Sequence, residues 1–167
     1  MTDPDPDPAL DAFRRIYASD HWKGGSGEGS HVDATGPYRQ ILGAVLTGRD
    51  ITTVVDAGCG DWQFSRLLDW SGKYYLGVDI VPEVVAGDRE SFGSDDVEFR
   101  VGDIRTTELP QADLLVCKDV LQHWDVHSVQ AFLDRNLTRY RYALVTNDLA
   151  SVHIDGAAAA GGCDEAR

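Results

Sequence analysis

Basic residues are scarce in this chain. Lys23, Lys73 and Lys118 are its only lysines, and the formal net charge is −13. Nucleic acids and acidic membrane surfaces are held by clustered Lys and Arg, and no run of arginines replaces the missing lysines, which argues against general affinity for either. Cysteine is equally sparse. Cys59, Cys117 and Cys163 are odd in number with no close pair, which fits neither a disulfide framework nor a zinc site. No apolar run approaches the roughly 18 residues of a membrane span. The opening MTDPDPDPAL is acidic and proline-rich, the opposite of a secretory leader. Together these absences set the expectation of a cytoplasmic enzyme or binding protein. What is present suffices for one domain with a real core: 167 residues, 43% hydrophobic and 26% charged.

Four stretches divide the chain. Residues 1–8 alternate Asp and Pro and read as a disordered tail. Residues 9–50 hold two helices and a glycine loop between them. In the first helix Leu10, Phe13, Ile16 and Tyr17 share a face; in the second, Thr35 is a candidate cap, Pro37 lies in the first turn, and Tyr38, Ile41, Leu42, Val45 and Leu46 form the stripe. Residues 51–148 then alternate short apolar runs with amphipathic ones. Strands are expected at 51–58, 74–80, 97–103, 112–119 and 142–148, and helices near 61–70, 81–91 and 126–139. Such alternation predicts an α/β fold, a Rossmann-like doubly wound sheet, mainly parallel, with helices on both faces. Residues 149–167 are small and without strand pattern, a flexible or shortened tail.

Aspartates cluster where this pattern ends its strands: Asp56, Asp79, Asp103 and Asp119, with Asn147 and Asp148 after the fifth. In open α/β sheets ligands bind at that edge. The first strand runs into DAGCGDW, where Gly58 and Gly60 permit a tight turn and a close ligand. A dinucleotide fingerprint fails here, because its third glycine is missing, Trp62 is bulky and Asp61 would repel a pyrophosphate. No Gly-Lys-Ser/Thr phosphate loop exists either. NAD and ATP are therefore poor ligands. S-adenosylmethionine suits the residues better, having no phosphate, a cationic sulfonium and a zwitterionic end. Asp56 suits the sulfonium or amino group. Asp79, nineteen residues beyond Gly60, suits the two ribose hydroxyls. Asp103, with Ile104, suits the adenine.

The stretches VVDAGCGDWQFSRLLDW, YYLGVDIVPEVV, VEFRVGDIRTTELP and ADLLVCKDVLQHW resemble successive motifs of class I S-adenosylmethionine-dependent methyltransferases. They are similar in particular to a small bacterial group with a tryptophan and an SGxGS stretch ahead of the core, here Trp22 and residues 26–30. The likeness covers residues 20 to 150. It implies that Asp56, Gly58, Cys59 and Gly60 line the methionine end, Asp79 and Ile80 the ribose, and Asp103 and Ile104 the adenine. Lys118 and Asp119 would face the methyl-transfer region. GGSGEGS is either a simple connection between two helices or, as the resemblance implies, a lid in which Trp22 and Ser30 enclose the cofactor and exclude water.

The acceptor is expected to be a small molecule methylated at oxygen or nitrogen. His123, just past the fourth strand, is the candidate base, its alternative role being packing at a helix start. Trp22, Tyr38 and Trp124 would make an apolar acceptor pocket unless they serve the core. Asp119, Asn147 and Asp148 resemble the magnesium ligands of catechol-type enzymes, although their offsets match poorly and no metal is expected. Two other readings stand beside methyl transfer: a cofactor-binding module without catalysis, and an NAD-type nucleotide binder. Class I enzymes usually add a hairpin of two strands after the fifth. Its absence predicts a shortened form of a longer protein or self-association through an open fifth strand.

Overall fold

The computed structural model describes residues 8–18 and 25–147. Trp22, Asp148, His153, Cys163 and the tail 149–167, with the expectations placed on them, lie outside these ranges.

Five parallel strands form one sheet in the order β3-β2-β1-β4-β5. They are β1 (Thr53–Ala57), β2 (Tyr74–Asp79), β3 (Val97–Val101), β4 (Ala112–Lys118) and β5 (Tyr140–Thr146). Helix α1 (Pro8–Ala18) and α2 (Gly36–Gly48) precede the sheet, α3 (Pro82–Phe92) joins β2 to β3, and α4 (Val126–Asn136) joins β4 to β5. Parallel neighbours require crossovers, and these place helices on both faces. One core gathers Leu42 and Leu46 of α2, Val85 of α3, and Val54 and Tyr75 of the sheet. The other packs Phe132 of α4 on Val55, Leu76 and Leu115. Alternation along β1 explains the split: Val54 and Val55 point to opposite faces. The chain runs outward from β1 to β3, then returns to start β4 on the other side of β1. The carboxyl ends of β1 and β4 therefore flank the reversal point, where such folds open a crevice.

Several expectations need correction. The helix expected near 61–70 is absent, and only a single 3-10 turn forms at Ser65–Leu67. Trp62 adopts a left-handed φ of 54° and sends its ring inward, 5.3 Å from the rings of Tyr75 and Phe99. Trp70 Nε1 donates to the Ser65 carbonyl at 2.7 Å, occupying an acceptor that a continuing helix needs. Aromatic burial outweighs the helical spacing of Phe64, Leu67 and Leu68. Thr35 does not cap α2; its buried hydroxyl donates back to the carbonyls of His31 and Val32. Ile41 is 54% exposed, so the apolar stripe of α2 is narrower than its sequence suggests. The fifth strand begins two residues earlier than expected, because Tyr140 is buried and bonds its hydroxyl to the Pro110 carbonyl at 2.8 Å.

Candidate functional site

The turn after β1 is built to let another chain segment touch its backbone. Gly58 and Gly60 have φ of 85° and 57°. A Cβ at Gly58 would lie 2.3 Å from Val120 Cγ2, and one at Gly60 would lie 2.2 Å from Ser26 Oγ. No side chain fits at either place. Asp79 holds this turn from β2: its Oδ2 accepts from the Gly60 N–H at 3.1 Å and its Oδ1 from the Val81 N–H at 3.0 Å. Burial still pushes its carboxyl up, against those amides. Asp56 is 4% exposed and accepts from the Tyr75 hydroxyl at 2.7 Å. Burial pushes it up to about 7, with Tyr75 pulling the other way. Cys59 points into the core and is a free, buried thiol.

The first glycine loop lies on this turn. Ser26 Oγ donates to Asp61 Oδ1 at 2.8 Å and accepts from the Asp61 N–H at 2.9 Å. Its single proton being committed, the Tyr17 hydroxyl 2.8 Å away is the donor to Ser26. Gln63 Nε2 donates to the other Asp61 oxygen at 2.7 Å. Farther along, the Gly29 carbonyl accepts from Lys118 Nζ at 2.8 Å, and Ser30 Oγ donates to the Ser26 carbonyl at 3.3 Å. The loop thus bridges the ends of β1 and β4. Helix α1 crosses the same edge: Arg14 pairs with Glu83 of α3 at 3.1 Å, while Phe13 meets His123 edge-on with ring centroids 5.8 Å apart.

At the end of β4, Lys118 pairs with the Asp119 carboxylate. Asp119 has a left-handed φ of 57°, an uncommon conformation that concentrates at functional turns. His123 closes the 3-10 turn Leu121–His123; burial lowers its pKa, while Asp119 acts in the opposite sense. Burial therefore favours the neutral imidazole.

Other expected site residues fare differently. The Asp103 carboxylate is engaged by Arg105, whose Nη2 lies 2.7 Å from Oδ2 and whose backbone N–H donates to Oδ1 at 2.9 Å. Ile80 is half-buried beside Asp79. Ile104 belongs to the core beneath α4, and its carbonyl accepts from Arg135 Nη2 at 2.8 Å. Tyr38 and Trp124 do not share a pocket, since they pack on opposite faces of the sheet. Tyr38 meets Phe64 edge-on, and Trp124 meets Phe132 in the same way. Asn147 is exposed, and the described residues contain no cluster of three candidate metal ligands.

Four residues at this edge escaped the sequence reading: Tyr17, Ser26, Asp61 in its latching role, and Asp88. Asp88 is 3% exposed and its Oδ2 has no hydrogen-bond partner. Burial, then Asp61 and Asp79, push it up to about 7. The only sequence signal was its spacing, one turn after buried Val85 on α3. The edge is thus lined by acids, and among the described residues its one ammonium, Lys118, is already engaged. A phosphate-free, cationic ligand fits such a donor set; a pyrophosphate does not.

A profile of the methyltransferase-domain family matches residues 55–139, just over half of the chain. The chain belongs to that family. The family is one of methyltransferase domains, and solved structures that share its fold hold S-adenosylmethionine or S-adenosylhomocysteine. No curated protein sequence matches significantly. Solved structures with the same fold include the N-methyltransferase NodS from Bradyrhizobium japonicum, in complex with S-adenosylhomocysteine, at TM-score 0.62 and 16% identity over 81% of this chain and 68% of NodS. The magnesium protoporphyrin IX methyltransferase of Synechocystis, with bound cofactor, aligns at TM-score 0.58 and 19% identity over 84% of this chain and 74% of the other. The mitomycin 7-O-methyltransferase MmcR aligns at TM-score 0.51 and 26% identity, over 64% of this chain and 34% of MmcR. The methyltransferase domain also spans only 63% of the bacterial CtHen1 domain that it resembles. Among the described residues, no helix is long and apolar enough to cross a membrane.

Proposed function

We propose that the carboxyl edge of the sheet binds S-adenosylmethionine and that this chain carries its methyl group to oxygen or nitrogen of a small molecule in the cytoplasm. The observation that supports this best is the convergence of Asp56, Asp79 and Asp88, all buried and all held against ionisation, around the Gly58–Gly60 turn. Such acids gain from a cation and lose from a phosphate.

When bound, the cofactor supplies an electrophilic methyl group. The chain's own residues do the rest. Asp79 fixes the Gly60 amide and offers its outer lone pairs to a diol. Asp56 supplies negative potential to the methionine end. Asp103, with Ile104, borders the adenine side, where Arg105 holds the carboxylate in place. Residues 25–30, latched through Ser26 to Asp61, exclude water; Trp22 belongs to the same proposed cover. The neutral imidazole of His123 takes a proton from the acceptor. The same fold serves a 7-O-methyltransferase and an N-methyltransferase, which leaves both acceptor atoms within the proposal.

A second reading, cofactor binding without catalysis, draws support from the packing of His123 on Phe13. Release of labelled methyl groups into a panel of small hydroxyl and amine metabolites separates the two. Turnover that falls by about 10²-fold in His123→Ala, with S-adenosylhomocysteine affinity kept within about twofold, is expected of a base. Binding without turnover across the panel supports the second reading. Among the described residues β5 pairs only with β4, and self-association through its open edge remains part of this proposal. Light scattering across a concentration series tests it.

A further inference from the structure

The side chain of Lys118 is only 10% exposed, although a lysine ammonium usually reaches water. Its Nζ donates to the Gly29 carbonyl at 2.8 Å and pairs with the Asp119 carboxylate. It also lies 5.5 Å from the ring centroid of Tyr38 and 5.6 Å from that of Phe64. The buried carboxyl of Asp56 feels the same ammonium. Two ring faces, a carbonyl and a carboxylate attract any cation; nothing in them is particular to lysine. A separate observation points to the same place. The hydroxyl of Tyr38 is buried without a hydrogen-bond partner, and Asp56 and Asp119 are among its charged neighbours. The enclosure sits at the end of β4, beside the β1 turn and under the glycine loop.

We propose that this enclosure is a cation subsite which Lys118 fills in the cofactor-free protein and yields to the cationic methionine end of S-adenosylmethionine. Lys118 is then an internal competitor of the cofactor rather than one of its anchors. The inference rests on the proposed cofactor site. It has a counterintuitive consequence: removing the lysine charge tightens binding. The two rings, the Gly29 carbonyl and the Asp119 carboxylate all remain, and the acid is left without its partner.

Calorimetric titration of wild type and Lys118→Met tests this. S-adenosylhomocysteine carries the ammonium, S-adenosylmethionine adds the sulfonium, and adenosine carries neither. The variant is expected to bind S-adenosylhomocysteine at least about fivefold more tightly and S-adenosylmethionine more tightly still, with adenosine unchanged within about twofold. Lys118→Gln is measured in parallel, so that misfolding of one variant, seen in a thermal melt, leaves the other to decide. Equal or weaker binding of S-adenosylhomocysteine by a folded variant overturns the inference and leaves the cofactor site standing. Failure of the wild type to bind either cofactor form removes the site and the inference together.

Discussion

Aspartates stand at both ends of the sheet, and their surroundings differ sharply. At the amino end, Asp113 opens β4 and accepts from the Thr52 amide and hydroxyl, each at 2.9 Å, and from the Thr53 amide and hydroxyl, each at 3.1 Å. Arg141 of β5 adds a contact at 3.2 Å. These donors, the Thr52 amide foremost, hold its carboxyl well below the usual range. One side chain clamps three strands. At the carboxyl end, burial pushes Asp56 and Asp88 up to about 7 and raises Asp79 as well. Asp113 at the amino end secures the sheet, whereas the surroundings of Asp56, Asp79 and Asp88 oppose their charge. A fold tolerates such opposition where a ligand relieves it.

The contrast breaks most visibly at Asp79. Asp79→Ala removes the acceptor for two backbone amides, each bond to a carboxylate being worth about 1.5–3 kcal/mol. Calorimetry is expected to show S-adenosylhomocysteine affinity reduced at least about 10²-fold, and a melt is expected to show lost stability. Retained affinity would remove Asp79 from the site. Asp113→Ala is the matched control at the opposite end. Chemical denaturation should show about 2–3 kcal/mol lost, with cofactor affinity unchanged. A large affinity loss there would erase the distinction between the ends.

The pH dependence sharpens it. For Asp56 and Asp88 the folded pKa lies above the unfolded value near 3.8. The native state therefore holds more protons than the unfolded chain between pH 4 and 7. Their contribution to stability falls as pH rises through that window and levels off above it. Asp113 has the opposite sign: its contribution is full above the unfolded value and is lost only in strong acid. Asp88→Asn removes one buried charge, so the cofactor-free protein should melt a few degrees higher at pH 8 and be little changed at pH 4. Equal melting shifts at both pH values would place the cost elsewhere. The smallest effect is expected at Ser26→Ala, which cuts the latch between Tyr17 and Asp61. Stopped-flow release of S-adenosylhomocysteine should quicken by about two- to fivefold while the melt barely moves.

How far these features were legible follows from the distances over which they are written. The strands were readable because each is a local apolar run, four of the five with an acid near the end, and the order of strand and helix implied a parallel sheet. The glycine turn with Asp79 was readable because a spacing of nineteen residues is itself a pattern. The absent helix at 61–70 was not, since Trp62 leaves the helical spacing for rings contributed by β2, β3 and α3. Nor was the latch: Ser26 and Asp61 stand 35 residues apart with no periodicity joining them. Asp88 reads as an ordinary polar residue in an amphipathic helix until the sheet covers it. Tyr38 and Trp124 looked like partners because sequence does not say which face of the sheet an aromatic ring meets.

In the proposed site Asp56 and Asp88 hold protons below pH 7 and give them up when a cation arrives. Titrating S-adenosylmethionine into the wild-type protein at pH 6, in two buffers of different ionisation enthalpy, tests it directly. At that pH an α-amino group, with its pKa near about 7.7–8.0, is already protonated, so any proton exchanged comes from the protein. The account predicts one-to-one binding with net proton release, as Asp56 and Asp88 ionise to meet the ligand's charge. Binding with no proton released, or no binding at all, would contradict it.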